Sequence, residues 1–275
     1  MTRRRTKRRV TNAAVLAVGV AALWWVVQAM DARLVCAPYW TGYALLAVLV
    51  VLAVYNARKK FASLPLGSGA AWLQLHLYLG AGSAVLLLVH TGGRWPNGWL
   101  EGFLAAVYWL TFVSGVVGLY LTRAIPRQLA RTSEEFVYER IPRLRREVLA
   151  KSRSVVLQAA GDAGATTLAD FYTSRIDPYL AESRGGVYTM RPSSSMRRAL
   201  MRELADLKRF LDQAELVASE KLFALVRKKD DLDFHESRQS LLKRWLFVHI
   251  TLTCLVLVAS VAHGLLALSM RGGPG

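Results

Sequence analysis

Two apolar runs, Ala70–Thr91 and Trp245–Met270, leave this chain few ways to fold. Each is long enough to cross a bilayer, and each carries two histidines fourteen residues apart: His76 and His90 on the first, His249 and His263 on the second. Fourteen helical residues rise about 21 Å and return to within roughly 40° of the starting face. Each helix should therefore carry one imidazole near one membrane face and a second, on the same stripe, near the other.

Three further runs have the same character: Val10 to about Met30, Tyr39 to about Tyr55, and Trp99 to about Leu121. Near-chargeless stretches of about 20 residues read as membrane spans. The first is too long for a secretory signal and has no small-residue cleavage site before Asp31, so it reads as an uncleaved span; a twin-Arg export signal is disfavoured for the same reasons. The chain is thus expected to be all-α, an integral membrane bundle of about five spans. Residues 1–122 hold spans one to four, 123–244 a helical cytoplasmic insertion, and 245–270 the fifth span.

Charge sets the expected orientation. The chain has 275 residues, 53% of them hydrophobic, and a formal charge of +17. Six Lys/Arg precede the first span, Arg58, Lys59 and Lys60 follow the second, and the segment after the fourth is densely basic. Only Arg33, Arg94 and Arg271 lie on the opposite side. The positive-inside rule then places the N-terminus in the cytoplasm and the C-terminus outside, as in a bacterial inner membrane. It also accounts for the basic charge without nucleic-acid binding. Asp31 and Glu101 are the sole acids outside 123–244.

In that orientation spans three and five are parallel. His76 meets His249 at the inner level and His90 meets His263 at the outer level. A single intramembrane histidine is often a helix–helix hydrogen bonder or part of a proton path. Here all four are used in a two-by-two arrangement, which is what two bis-imidazole haem irons require. No Cys-x-x-Cys-His is present, so any haem is held non-covalently. Cys36 and Cys254 are not expected to form a disulfide, and there is no zinc-type cluster.

Weaker candidates surround the histidines. Gly80 and Gly82 would let a flat macrocycle approach the third span, although glycine is common in any packed membrane helix, and Gly115 and Gly118 carry the same ambiguity. Arg94 could pair with outer haem propionates, and Lys243 or Arg244 with inner ones. Trp72, Trp95, Trp99 and Trp245 read as interfacial anchors. His235 lies fourteen residues before His249, but its neighbours Asp230, Asp231, Asp233 and Glu236 read as a solvated helix with a surface histidine.

Residues 123–244 read as helical. A helix start is expected near Thr132 to Glu135, with an apolar stripe of Phe136, Ile141, Leu144 and Leu149 interrupted by Pro142. A glycine break at 161–164 precedes a helix over 169–182, and 184–195 is loop-like. Leu200, Leu204, Leu207, Leu211, Ala214, Ala218, Leu222 and Leu225 predict one long helix over about 196–226. A further helix from about Leu232 should run straight into the fifth span. No Gly-x-Gly-x-x-Gly or Walker A motif occurs, so no nicotinamide or flavin domain is expected.

The two His-x13-His spacings, 76–90 and 249–263, resemble those of the ferric reductase-like transmembrane domain, whose two haems are bridged by its third and fifth spans. Cytochrome b of the quinol-oxidising bc complexes has similar spacing on other spans. The resemblance covers spans three to five and implies two b-type haems, His76/His249 inner and His90/His263 outer, passing electrons across the membrane. That family usually has six spans and often a cytoplasmic flavin module, neither of which is present here. The expected function is therefore an electron-transfer subunit, with a quinol or cytoplasmic donor, redox protein partners and a quinone as a candidate further cofactor. The alternatives are a non-redox membrane scaffold whose basic segment docks a cytoplasmic partner, and a proton-coupled transporter. Against the transporter stands the lack of an acidic residue inside the spans, Glu101 lying at the edge of the fourth.

Overall fold

The computed structural model describes residues 37–60, 68–130, 134, 136–163 and 167–271, together with Ala14, Gly19 and Ala21. The expected first span, Val10 to about Met30, lies outside the described residues, as does the turn holding Cys36. The described residues are helical, with no strand among them. Four helices are long and apolar enough to cross a membrane. They are α1 (Ala37–Lys60), α2 (Gly69–His90), α3 (Trp99–Leu129) and the last helix of the chain. The chain divides into two compact units, one of residues up to Val117 and from Phe247 onward, the other of Gly118–Leu246.

In the first unit, Leu45 of α1, Leu86 and Leu87 of α2, Val107 and Tyr108 of α3, and Val256 form the core. A 2.8 Å hydrogen bond between the Ser83 and Tyr108 hydroxyls ties α2 to α3 inside it. Large apolar side chains such as Val50, Val54, Leu88, Val113, Val258 and Leu265 are exposed. Outward apolar surface of this extent is what helices facing lipid present.

Local chemistry sets the ends of α2. The Ser68 hydroxyl accepts from the Ala71 amide at its start, satisfying one of the amides a helix leaves unpaired. At its end Gly92 and Gly93 take φ of 62° and 70°, the left-handed region that glycine enters without cost. The Gly93 amide returns to the Leu88 carbonyl at 2.7 Å. His90 is therefore the last helical residue before the turn.

The second unit contains a 3-10 turn (Tyr138–Arg140), α4 (Ile141–Ala163), α5 (Thr167–Phe171), a π turn (Tyr172–Ile176), α6 (Asp177–Ala181), α7 (Gly186–Met190) and α8 (Ser195–Leu207). A second 3-10 turn (Lys208–Phe210) follows, and then α9 (Gln213–Arg271), which belongs to this unit up to Leu246 and to the first from Phe247. Ile141, Val148, Leu168, Ile176, Leu204, Leu222, Val226 and Leu232 fill its core.

The elements differ from expectation at several points. Pro142 is the second residue of α4 and does not interrupt a stripe, because a first-turn proline lacks only an amide that the helix leaves unpaired anyway. The segment read as loop contains the short α7. The helix expected over 196–226 is two helices. Asp212 caps α9 by accepting from the Glu215 amide at 2.8 Å, and Glu215 reaches back to the Asp212 amide. This reciprocal capping box starts a new helix. The leucine stripe survives the break, since Leu200, Leu204, Ala218, Leu222 and Leu225 all face one core. The expected run from Leu232 into the fifth span is part of α9, whose 59 residues continue without interruption.

His235 is a correction. It is buried, 1% exposed, with Phe136 edge-on at 5.1 Å between ring centres. The acidic residues around it face protein cations from elsewhere in the unit. Arg145 pairs with Asp233 and Glu236, Arg184 with Asp230 and Asp233, and Arg197 with Asp230. What looked like a solvated run is a buried ionic cluster.

Candidate functional site

The first unit gathers the four histidines at two levels. Helices α2 and α9 each carry two of them, fourteen residues apart. His76 and His249 lie with ring centres 6.4 Å apart and planes at 75°. An imidazole nitrogen binds a first-row metal at about 2.0–2.1 Å, so two imidazoles on opposite sides of one ion have ring centres roughly 6–6.5 Å apart. The His76–His249 separation falls in that range.

At the other level, His90 and His263 line one cavity of about 580 Å³ with Arg94, Glu101, Tyr43 and Trp95. Its size lies within the range of roughly 300–1,000 Å³ typical of ligand and cofactor sites. With His76 beside His249 at one end and His90 near His263 at the other, α2 and this part of α9 run in the same direction.

Helices α1 and α3, which carry no histidine, each touch both histidines of a neighbour. Thr41 of α1 contacts His90 Nδ1 at 3.0 Å, and the Tyr55 ring stacks on His76 at 5.0 Å between centres. Ser114 of α3 contacts His249 Nδ1 at 2.7 Å, and Glu101 lies 3.8 Å from His263 Nδ1. Thr41 and Tyr55 are themselves fourteen residues apart, so α1 reproduces the histidine spacing in the antiparallel direction. These four supporting residues escaped the sequence reading as site residues. Hydroxyls and tyrosines are frequent in spans, and only their register against the histidines marks them.

Two glycines make room for the rings. A β-carbon at Gly42 would lie 3.0 Å from His90 Cε1, and one at Gly115 would lie 3.5 Å from His249 Cε1. Gly42 was not singled out in the sequence. Gly80 has open space where its side chain would be. Gly118, in the second unit, packs against the Trp245 indole, which a β-carbon would overlap.

The candidate cations divide. Arg94 lines the cavity shared by His90 and His263. Arg244 is an exposed residue of α9 within the second unit. Lys243 is engaged there by Glu139 at 2.8 Å and by the Tyr138 ring.

The donor chemistry suits a haem iron, which takes two ligands from the protein. His76 and His249 form one close pair of imidazoles, and His90 and His263 share a cavity. Among the described residues no three His, Cys, Asp or Glu side chains converge as a cage of protein ligands alone would need. No family model, no curated protein and no solved structure matches this chain.

Proposed function

We propose that this chain is a dihaem b-type cytochrome that passes electrons across a membrane. His76 and His249 would hold an inner haem b, and His90 and His263 an outer one. The observation that carries the reading is the 6.4 Å spacing of the His76 and His249 rings, repeated fourteen residues along both helices by a second pair that shares a cavity. Intramembrane ionisable groups are costly unless partnered, and a neutral imidazole on iron removes that cost. When bound, the haems supply one-electron redox chemistry.

The chain's own residues hold and orient the ligands and exclude water. Arg94 offers an outer propionate partner. Gly80 leaves the face of α2 open to a flat group. In this reading Val10–Met30 is a fifth span, the N-terminus and residues 123–244 are cytoplasmic, and the C-terminus is outside. Electrons arrive from a quinol or a cytoplasmic protein and leave to an acceptor outside, so the chain works with redox protein partners.

A pyridine haemochrome assay on purified protein, expressed with adequate haem supply, tests this. About two haems b per chain with low-spin spectra are expected. His76→Ala or His249→Ala should remove one and His90→Ala or His263→Ala the other, while absence of haem from the unmodified protein overturns the reading.

A further inference from the structure

A histidine that ligates through Nε2 must carry its proton on Nδ1, the reverse of the tautomer that predominates in water. Something in the protein has to impose this, and the hydroxyls on α1 and α3 are placed to do so. Thr41 Oγ1 lies 3.1 Å from the Pro38 carbonyl oxygen and 3.0 Å from His90 Nδ1. Ser114 Oγ lies 2.7 Å from the Thr111 carbonyl oxygen and 2.7 Å from His249 Nδ1. Each hydroxyl has one proton and each carbonyl has none. Both contacts are hydrogen bonds only if the hydroxyl donates to the carbonyl and accepts from Nδ1–H.

We propose that Thr41 and Ser114 are positioning residues that lock His90 and His249 as Nδ1–H tautomers and so present their Nε2 lone pairs to a metal. This rests on the dihaem reading above. Back-bonding of a hydroxyl to the carbonyl three residues earlier is common in helices and by itself says nothing of function. The second contact, to a ring nitrogen on another helix, is the informative one. Among the described residues it occurs once at each level, on one histidine of each pair, from α1 and α3. Accepting the Nδ1 proton also raises the basicity of the ligating nitrogen and fixes the ring plane, which favours ferric over ferrous iron.

The test uses full-length, haem-loaded protein in lipid nanodiscs, with Thr41→Val and Ser114→Ala compared with Thr41→Ser and Ser114→Thr. Thr41→Val should weaken retention of the outer haem about 10–100-fold, the usual effect of losing such a partner, and raise its midpoint potential. Ser114→Ala should do the same to the inner haem. In each variant the other haem reports that the fold is intact, and the hydroxyl-keeping variants should restore both properties. Two haems with unchanged retention and potentials in Thr41→Val and Ser114→Ala overturn the lock but leave the dihaem reading standing. An unmodified protein that binds no haem overturns both. Should Thr41→Val fail to fold, ¹⁵N spectra of histidine-labelled unmodified protein before haem loading decide the matter. Protonated Nδ1 at His90 and His249 supports the proposal, and protonated Nε2 overturns it.

Discussion

Lys229 Nζ lies 2.6 Å from Asp233 Oδ2, one turn along α9, with side chains 1% and 0% exposed. Burial depresses the lysine's pKa, and the Asp233 charge beside it opposes that shift. The two partners are not equivalent. Asp233 also holds Arg145 and Arg184, whereas Lys229 otherwise donates to the Glu182 carbonyl. Asp233→Ala should cost about 3–5 kcal/mol because it strands buried cations. Lys229→Met removes a desolvated charge and one further hydrogen bond, and should cost about 1 kcal/mol. Hydrogen exchange across residues 218–240 in detergent separates the two; equal costs would contradict this asymmetry.

The same cluster predicts sensitivity to alkali. Burial pushes the Tyr188 hydroxyl up to about 12, with the Asp230 charge adding to the shift, and Tyr179 and Tyr172 are raised for the same primary reason. A group whose folded pKa is raised binds its proton more tightly in the native state. Its contribution is therefore complete below its ordinary value of 10.0 and lost as pH rises towards 12. Phenolate absorbance and helicity, followed together, should change in that window. Tyr188→Phe should make the loss of helicity shallower.

Glu215 does two jobs at the start of α9. Besides closing the capping box, it accepts from the Leu168 amide at 3.1 Å while only 2% exposed. Asp212→Ala should cost about 1 kcal/mol, the usual value of a lost cap. Glu215→Ala should cost about 1–3 kcal/mol, because a buried amide is left unpaired. Amide exchange at Leu168 should accelerate in Glu215→Ala and stay unchanged in Asp212→Ala.

The glycines beside the histidines predict a second asymmetry. A methyl at Gly42 falls closer to His90 Cε1 than ordinary contact, while one at Gly115 meets His249 at normal van der Waals distance. If the protein binds two haems as proposed, Gly42→Ala should therefore alter the outer haem's low-spin signature in electron paramagnetic resonance. Gly115→Ala should leave the inner one as it was.

Most of the all-helical character, with four helices long and apolar enough to cross a membrane, was legible because apolar length and histidine register survive translation into structure directly. Ala70–Thr91 and the helix Gly69–His90 nearly coincide, since Ser68 and the Gly92–Gly93 turn are punctuation that can be read locally. His235 was misread because the sign of the residues around a histidine is visible in sequence, whereas Arg145 and Arg184, far away along the chain, are not. The break at Asp212 was written as Asp-x-x-Glu, but an unbroken leucine stripe spoke more loudly than the capping box. Thr41 and Ser114 had no signal of their own. A hydroxyl becomes informative only when a histidine on another helix stands opposite it.

The fourteen-residue interval on α2 and α9 also has an electrical meaning. It spans about 21 Å of helix, some two-thirds of a hydrocarbon core about 30 Å thick. An electron passed between the two histidine levels would cross that share of the transmembrane voltage. At about 2.3 kcal/mol per charge per 100 mV, each 100 mV would tilt its distribution between the levels by roughly 1.6 kcal/mol, or about 15-fold. Helix pitch, through the spacing of four histidines, would thus make the pair of sites a voltage-biased switch.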